Sequence, residues 1–412
     1  MVRLAPLRAF GMASLLPLAA AAPGAGAERT IAPGQLEAAL AEATPGETLR
    51  LGPGIHAGAF TVRVPVQLVG EPGAVVQGLG RGGVLTLAAP GIRVRNLTVR
   101  GGGSDLSEDD AVVRIAQVED VAVEGCRIEA RAFGIYLEGG RGHRIAGNEV
   151  RGDPSLPVAR RGNGIHLWHS VRNEVRDNHL VDVRDGIYLS FAHDNLIEGN
   201  RGRALRYGIH YMYSERNTLE GNLFARCRGG IALMFSMRNR IEANEALENA
   251  QFGILCQQLE RSELVRNRVA GNGRGFYIQN SAANRLVANV MADNGVGAYL
   301  TAGSEGNVFT ANRFAGNLVQ VFDDGPGANA FSETGRGNYW SDYAGFDWNA
   351  DGVGETPYRL QTPASALMAH RPVTRWFYMS PVLALLEWWG AWEAGLMPPD
   401  PRALDLHPLL DE

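Results

Sequence analysis

The chain of 412 residues carries a net charge of −5, with 45% hydrophobic and 20% charged residues. That balance excludes a disordered polymer and leaves no basic footprint for nucleic acid. Its 52 glycines are spaced along the chain rather than clustered, which directs attention to an internal repeat.

Residues 1–27 read as an export signal. Arg3 and Arg8 give a positive start, Ala9 to Ala22 is apolar, and Ala25-Gly26-Ala27 is an A-x-A cleavage pattern. The mature chain is expected to begin near Glu28, outside the cytoplasm. Gln35 to Ala43 (QLEAALAEA) reads as a short helix, an N-terminal cap on the mature chain. The segment Ile55 to Val123 holds strand-length runs, such as Gly91 to Val99, with a loose beat. Cys126, Cys227 and Cys256 show no C-x-x-C spacing, so they are expected to act as small buried hydrophobes.

From Gly134 the beat is regular. Gly164-Ile165-His166-Leu167 returns at Gly186, Gly208 and Gly230, and again at Gly253, Gly275 and Gly297, in steps of 22 or 23 residues. The longer step after Gly134 leaves room for an inserted loop at Asp153 to Arg161. A second motif runs in phase, from Asn173 to Asn178, Asn195 to Asn200, Asn217 to Asn222 and Asn239 to Asn244, and later from Asn284 and Asn307. Only the copy at Ser262 lacks its first asparagine. Alternation such as Ile209-in, His210-out, Tyr211-in has the period of a strand. One coil of three short strands is too thin to bury a core, so coils must stack. The predicted fold is all-β: a right-handed parallel β-helix over residues 28–330, with glycines relieving corners and asparagines supplying left-handed turns and stacked amides.

Stacking lines up equivalent side chains. The first outward position carries Tyr136, His166, Tyr188, His210, Ala232, Leu255, Tyr277 and Tyr299. Two residues on come Glu138, Trp168, Ser190, Met212, Met234, Gln257, Gln279 and Thr301. An aromatic, thioether-rich face of this kind marks a binding surface, or else a face that loops or the tail cover. Met212 and Met234 fall in one column on adjacent coils, about one strand spacing (~4.8 Å) apart. His210 is two residues from Met212, and Met237 lies just past Met234. Thioethers with imidazole suit Cu(I), which makes His210, Met212, Met234 and Met237 candidate copper ligands. Glycoside hydrolysis needs two carboxylates about a bond. The face offers Glu138 alone, and Asp182 and Asp185 have no obvious partner, so no catalytic centre is predicted.

Residues 331–363 form an irregular segment in which Asp347, Asn349 and Asp351-Gly352 match the start of a calcium loop. Its closing twelfth position is Tyr358, so a full EF-hand is excluded and a weak calcium site or a plain acidic turn remains. Residues 364–412 form a hydrophobic helical tail. Trp376, Trp388, Trp389 and Trp392 suit docking on a partner or at a membrane interface, or a cap on the last coil.

Gly337-Asn338-Tyr339-Trp340-Ser341-Asp342-Tyr343, followed by Asp347-x-Asn349-x-Asp351-Gly352-x-Gly354-x-x-Pro357-Tyr358, resembles the block that comes after the coils in the NosD family, periplasmic maturation factors of nitrous oxide reductase. The resemblance implies a non-enzymatic periplasmic assembly factor, held at the inner membrane by an ABC-type transporter permease. It would take copper from a copper chaperone and present it to apo nitrous oxide reductase, with the handling of sulfur left open. Its partner-binding surface would comprise Tyr136, His166, Trp168, Tyr188, Tyr277, Tyr299 and the tail tryptophans. A carbohydrate-binding or polysaccharide-processing β-helix is the alternative, with the aromatic column as a sugar platform.

Overall fold

The computed structural model describes residues 26–301, 303–325, 329–377, 380–396 and 404–410. The expected export signal therefore lies almost wholly outside the described residues.

Strands of mostly three to six residues wind into coils, and each strand pairs in parallel with its counterparts above and below. Three long sheets result, with 13, 12 and 13 strands. The first runs from Glu28–Ile31 to Val308–Thr310, the second from Phe60–Val62 to Val321–Asp323, and the third from Gly54–Ala57 to Tyr339–Trp340. The second sheet carries the Gly-Ile strands. Inward positions form one continuous apolar column that includes Ile187, Ile209, Tyr211, Ile231, Phe224 and Phe276. The early turns share this register from the start, for Leu49, Leu68, Val94 and Val123 stack in sequence. All three cysteines are buried and unpaired. Burial pushes their thiols up to about 11 for Cys126 and Cys227 and about 12 for Cys256, so none is a ready thiolate.

Corners differ from expectation in an instructive way. The left-handed residue is the one before each ladder asparagine, as at Asp177 (φ 55), Arg216 (φ 54), Ala243 (φ 53) and Arg266 (φ 54). The asparagine itself turns inward and works through its amide. Asn178, Asn200, Asn222, Asn244 and Asn267 form one ladder, in which each Oδ1 accepts both the backbone N–H and the Nδ2–H of the asparagine one coil earlier. Where the parallel ladder lacks an asparagine, the Ser262 hydroxyl accepts the Asn239 N–H at 3.0 Å. The repeat glycines serve close approach rather than left-handed φ. A Cβ on Gly186 would lie 2.5 Å from the Gly208 carbonyl oxygen, and one on Gly275 would lie 2.4 Å from that of Gly297.

Both ends of the stack are closed, as exposed edges require. Helix α1 (Leu36–Glu42) buries Leu36 and Ala39 against the first coils, and Arg29 donates to the Ala39 carbonyl at 3.0 Å. At the other end the coils continue past residue 330, because Tyr339–Trp340 pairs with Arg313–Phe314. Helices α2 (Pro363–His370) and α3 (Pro381–Leu396) then pack Ala364, Met368 and Leu383 on Val296, Val319 and Phe322. The chain finally returns as Leu404–Asp405, antiparallel to Tyr358–Arg359. The last segment is thus a strap across the base as well as a helical tail. Among the described residues, no helix is long and apolar enough to cross a membrane.

Candidate functional site

The expected columns form in register. Tyr136, His166, Tyr188, His210, Ala232, Leu255, Tyr277, Tyr299 and Phe322 stack in order. Their rings lean on one another edge to face, with centroids 4.6 Å apart for Tyr136–His166, 4.7 Å for His166–Tyr188 and 4.8 Å for Tyr188–His210. Close stacking has a consequence that residue types do not reveal: much of the column is buried, His166 and His210 at 9% and 7% exposure. Leu106 covers Tyr136 at one end, and the α2/α3 cap covers Tyr299 and Phe322 at the other. Burial pushes His166 down to about 3, and both of its ring nitrogens lack a partner.

Met212 and Met234 are register partners, with Ser190 above and Gln257 below. Both are half-buried. Met234 sits in a small apolar cluster with Ala232, Phe252, Leu255, Tyr207 and Tyr277. Gly229 and Ala232 make that coil locally thin. A Cβ on Gly229 would lie 2.4 Å from the Phe252 ring, and the space lets Tyr207 and Phe252 approach to 5.5 Å across it. Met237 is placed apart. Its strand turns at Phe235 (φ 52), Ser236 points inward, and Met237 pairs with Glu260 on the adjoining facet. The structure therefore puts Met212 and Met234 in one column, with His210 two residues before Met212 on the same strand, and leaves Met237 beyond the corner.

Asp185, without an evident partner in the sequence, is fully buried beside His210. His210 Nδ1 lies 3.0 Å from Asp185 Oδ2, and Arg206 Nε donates to Asp185 Oδ1 at 2.8 Å. Burial pushes the Asp185 carboxyl up, but the hydrogen bonds from His210 and Arg206 outweigh it and hold the group below its ordinary value. A carboxylate only accepts, so Nδ1 carries a proton, and in the neutral imidazole Nε2 keeps its lone pair. That Nε2 is buried and unpartnered. An oriented imidazole with an unpartnered nitrogen, two residues along the strand from one thioether that is itself in register with a second, is a donor set whose chemistry fits Cu(I).

A second aromatic column escaped the sequence reading. His169, Phe191, Tyr213 and Phe235 recur in 22-residue steps at left-handed corner positions (φ 48 to 53). They stack nearly parallel at 4.9, 5.1 and 5.0 Å. The rings occupy one another's faces and turn their edges outward, which is a poor platform for a sugar. Trp168, at 38% exposure, meets His169 edge-on.

At the base, Asp347 accepts the N–H groups of Ala350 (2.6 Å), Asp351 (3.2 Å) and Gly352 (2.8 Å), and Asn349 Nδ2 donates to Asp351. The loop closes on its own backbone. No group of three or more His, Cys, Asp or Glu able to hold a metal occurs among the described residues. The tail presents Val382, Leu385, Trp388 and Trp389 outward, Trp388 at 64% exposure. The side chains of Trp376 and Trp392 lie outside the described residues.

Residues 147–345 match the family model described as periplasmic copper-binding protein (NosD). A "Probable ABC transporter binding protein NosD" from Stutzerimonas stutzeri is 36% identical over 377 residues, which is 88% of this chain and 86% of the relative. A protein of the same printed name from Pseudomonas aeruginosa is 37% identical, covering 87% of each. Among solved structures, a periplasmic alginate epimerase, AlgG, superposes with a TM-score of 0.54 at 13% identity, over 74% of this chain and 82% of its own, and so shares the fold alone. The chain belongs to the NosD family of periplasmic copper-binding proteins.

Proposed function

We propose that this protein is a non-enzymatic periplasmic assembly factor that passes Cu(I) toward the copper–sulfur centre of nitrous oxide reductase. It works with the permease of an ABC-type transporter and receives the ion from a copper chaperone. The observation that carries the proposal is the His210–Met212–Met234 corner, a soft donor set of one buried imidazole and two half-buried thioethers in a chain whose family is described as copper-binding. The relatives' names as ABC transporter binding proteins support a transporter partner. The outward face of α3 (Val382, Leu385, Trp388 and Trp389) is the surface offered to it, since large apolar groups left in water suit docking.

Cu(I) competition titration against a chromophoric chelator tests the metal step. Met212→Leu with Met234→Leu keeps volume and apolarity while removing both sulfurs. Weaker binding at unchanged thermal stability is expected. Undiminished affinity in the double variant would remove this corner from consideration. In cells, the same variant should leave nitrous oxide reductase folded but short of copper.

A further inference from the structure

We infer that Asp185 and Arg206 are positioning residues that preset His210 as an Nε2 donor before any metal arrives. The inference rests on His210 being a copper ligand.

The three side chains come from two coils. Asp185 opens the strand that carries Gly186, and Arg206 and His210 flank Gly208 one coil later. Arg206 grips Asp185 through Nε and Nη2, while His210 Nδ1 meets the same carboxylate at 3.0 Å. Arg206 Nη2 also stands 3.3 Å from His210 Nδ1, a contact in which Nδ1 would have to accept, but the contact to the carboxylate is the shorter at 3.0 Å and decides for Nδ1–H. Two donors, Nη2–H and Nδ1–H, thus converge on Oδ2. A deprotonated Nδ1 would instead aim its lone pair at a carboxylate, which is repulsive. The imidazole is therefore held in the Nδ1–H tautomer, with Nε2 directed away from Asp185. Tyr188 at 4.8 Å and Tyr207 at 5.2 Å wall the ring on two sides and restrict its rotation.

His56 and His143 also leave one nitrogen unpartnered, yet each bonds the backbone through the other, to Gly52 and Val121. Neither has a carboxylate partner or a thioether two residues away. A purely structural ion pair between Asp185 and Arg206 would be complete without His210. The third member sets the pair against a ring two residues from Met212 on the same strand. Carboxylate–histidine pairs of this kind fix the tautomer and orientation of metal-binding imidazoles, and losing the carboxylate typically costs about 10- to 100-fold in metal affinity.

The test uses the metal-free full chain at pH 8 and then Cu(I) itself. Long-range ¹H–¹⁵N correlation on the unmodified protein should show His210 with a protonated Nδ1 and a bare Nε2. A protonated Nε2 overturns the inference without any variant. Asp185→Asn should then weaken Cu(I) binding by about 10- to 100-fold and shift the His210 ¹⁵N pattern, while Met212→Leu leaves that pattern unchanged. An Asp185→Asn protein that keeps both affinity and tautomer overturns the positioning role. If His210→Gln weakens binding in that case, the copper site stands and only the positioning role falls. If His210→Gln binds Cu(I) like the parent, the site itself falls, and the positioning role falls with it.

Discussion

Replacing Asn222 with alanine removes one rung from the middle of an asparagine ladder, and its cost can be worked from the bonds lost. Asn222 Oδ1 accepts the Asn200 backbone N–H at 2.9 Å and its Nδ2–H at 3.0 Å, and Asn222 Nδ2 donates to the Ile197 carbonyl and to Asn244 Oδ1, both at 2.8 Å. The Asn200 amide group keeps the Val175 and Glu198 carbonyls, and Asn244 Oδ1 keeps the Asn222 N–H. The uncompensated loss is the Asn200 backbone N–H, stranded in a dry corner at a cost of about 1–3 kcal/mol. Loss of the Ile197 contact and the small void bring the total to about 3–5 kcal/mol. An exposed neighbour such as Glu220→Ala should stay within about 0.5 kcal/mol. Stacked coils unfold with imperfect cooperativity, so hydrogen exchange of the Asn200 amide is the decisive assay beside urea unfolding. Much faster exchange at Asn200 is expected. If that amide exchanges as slowly as in the parent protein, the ladder is not what holds the corners.

Other perturbations have equally definite outcomes. Burial pushes His143 down to about 4, and its Nδ1 accepts the Val121 N–H at 3.2 Å. Below its ordinary pKa of about 6.5 the unfolded chain takes up a proton that the folded chain refuses. His143 therefore lowers stability by roughly 1 kcal/mol per unit as pH falls from about 6.5 toward 4, and has no effect above that window. The stability difference between the parent and His143→Gln should be flat above pH 6.5 and shift below it; a flat difference down to pH 4.5 would contradict this. Asp405 is fully buried and accepts from the Asn338 N–H at 2.7 Å and Trp340 Nε1 at 2.9 Å, which ends the ladder. Asp405→Ala should cost about 2–5 kcal/mol by stranding both donors and should loosen residues 404–410 in limited proteolysis. Leu385→Gln with Trp388→Gln should leave melting and Cu(I) affinity unchanged and abolish co-purification with the transporter permease.

The fold was legible because the repeat is chemical as well as periodic. Gly186, Gly208 and Gly230 are required where coils touch, and Asn178, Asn200 and Asn222 where amides stack. Column membership came directly from that spacing, so Met212 and Met234 could be paired in advance. Burial within the column could not, since it depends on how far each ring leans on the next. The Asp185 contacts were hidden for a related reason: Arg206 and His210 lie 21 and 25 residues away, off the 22-residue register, and are reached by long side chains. The exposed ladder from His169 to Phe235 was present in the spacing but falls one residue beyond the strands that were compared. Nothing local in Leu404-Asp405 announces its return to the base, because its partners are Asn338 and Trp340, more than sixty residues earlier.

X-ray absorption on the Cu(I)-loaded protein tests the central claim most directly. A first shell of one imidazole nitrogen and two sulfurs is expected, with the sulfur contribution lost in Met212→Leu/Met234→Leu. A shell of oxygens, or a sulfur shell that survives in the double variant, would place the copper elsewhere.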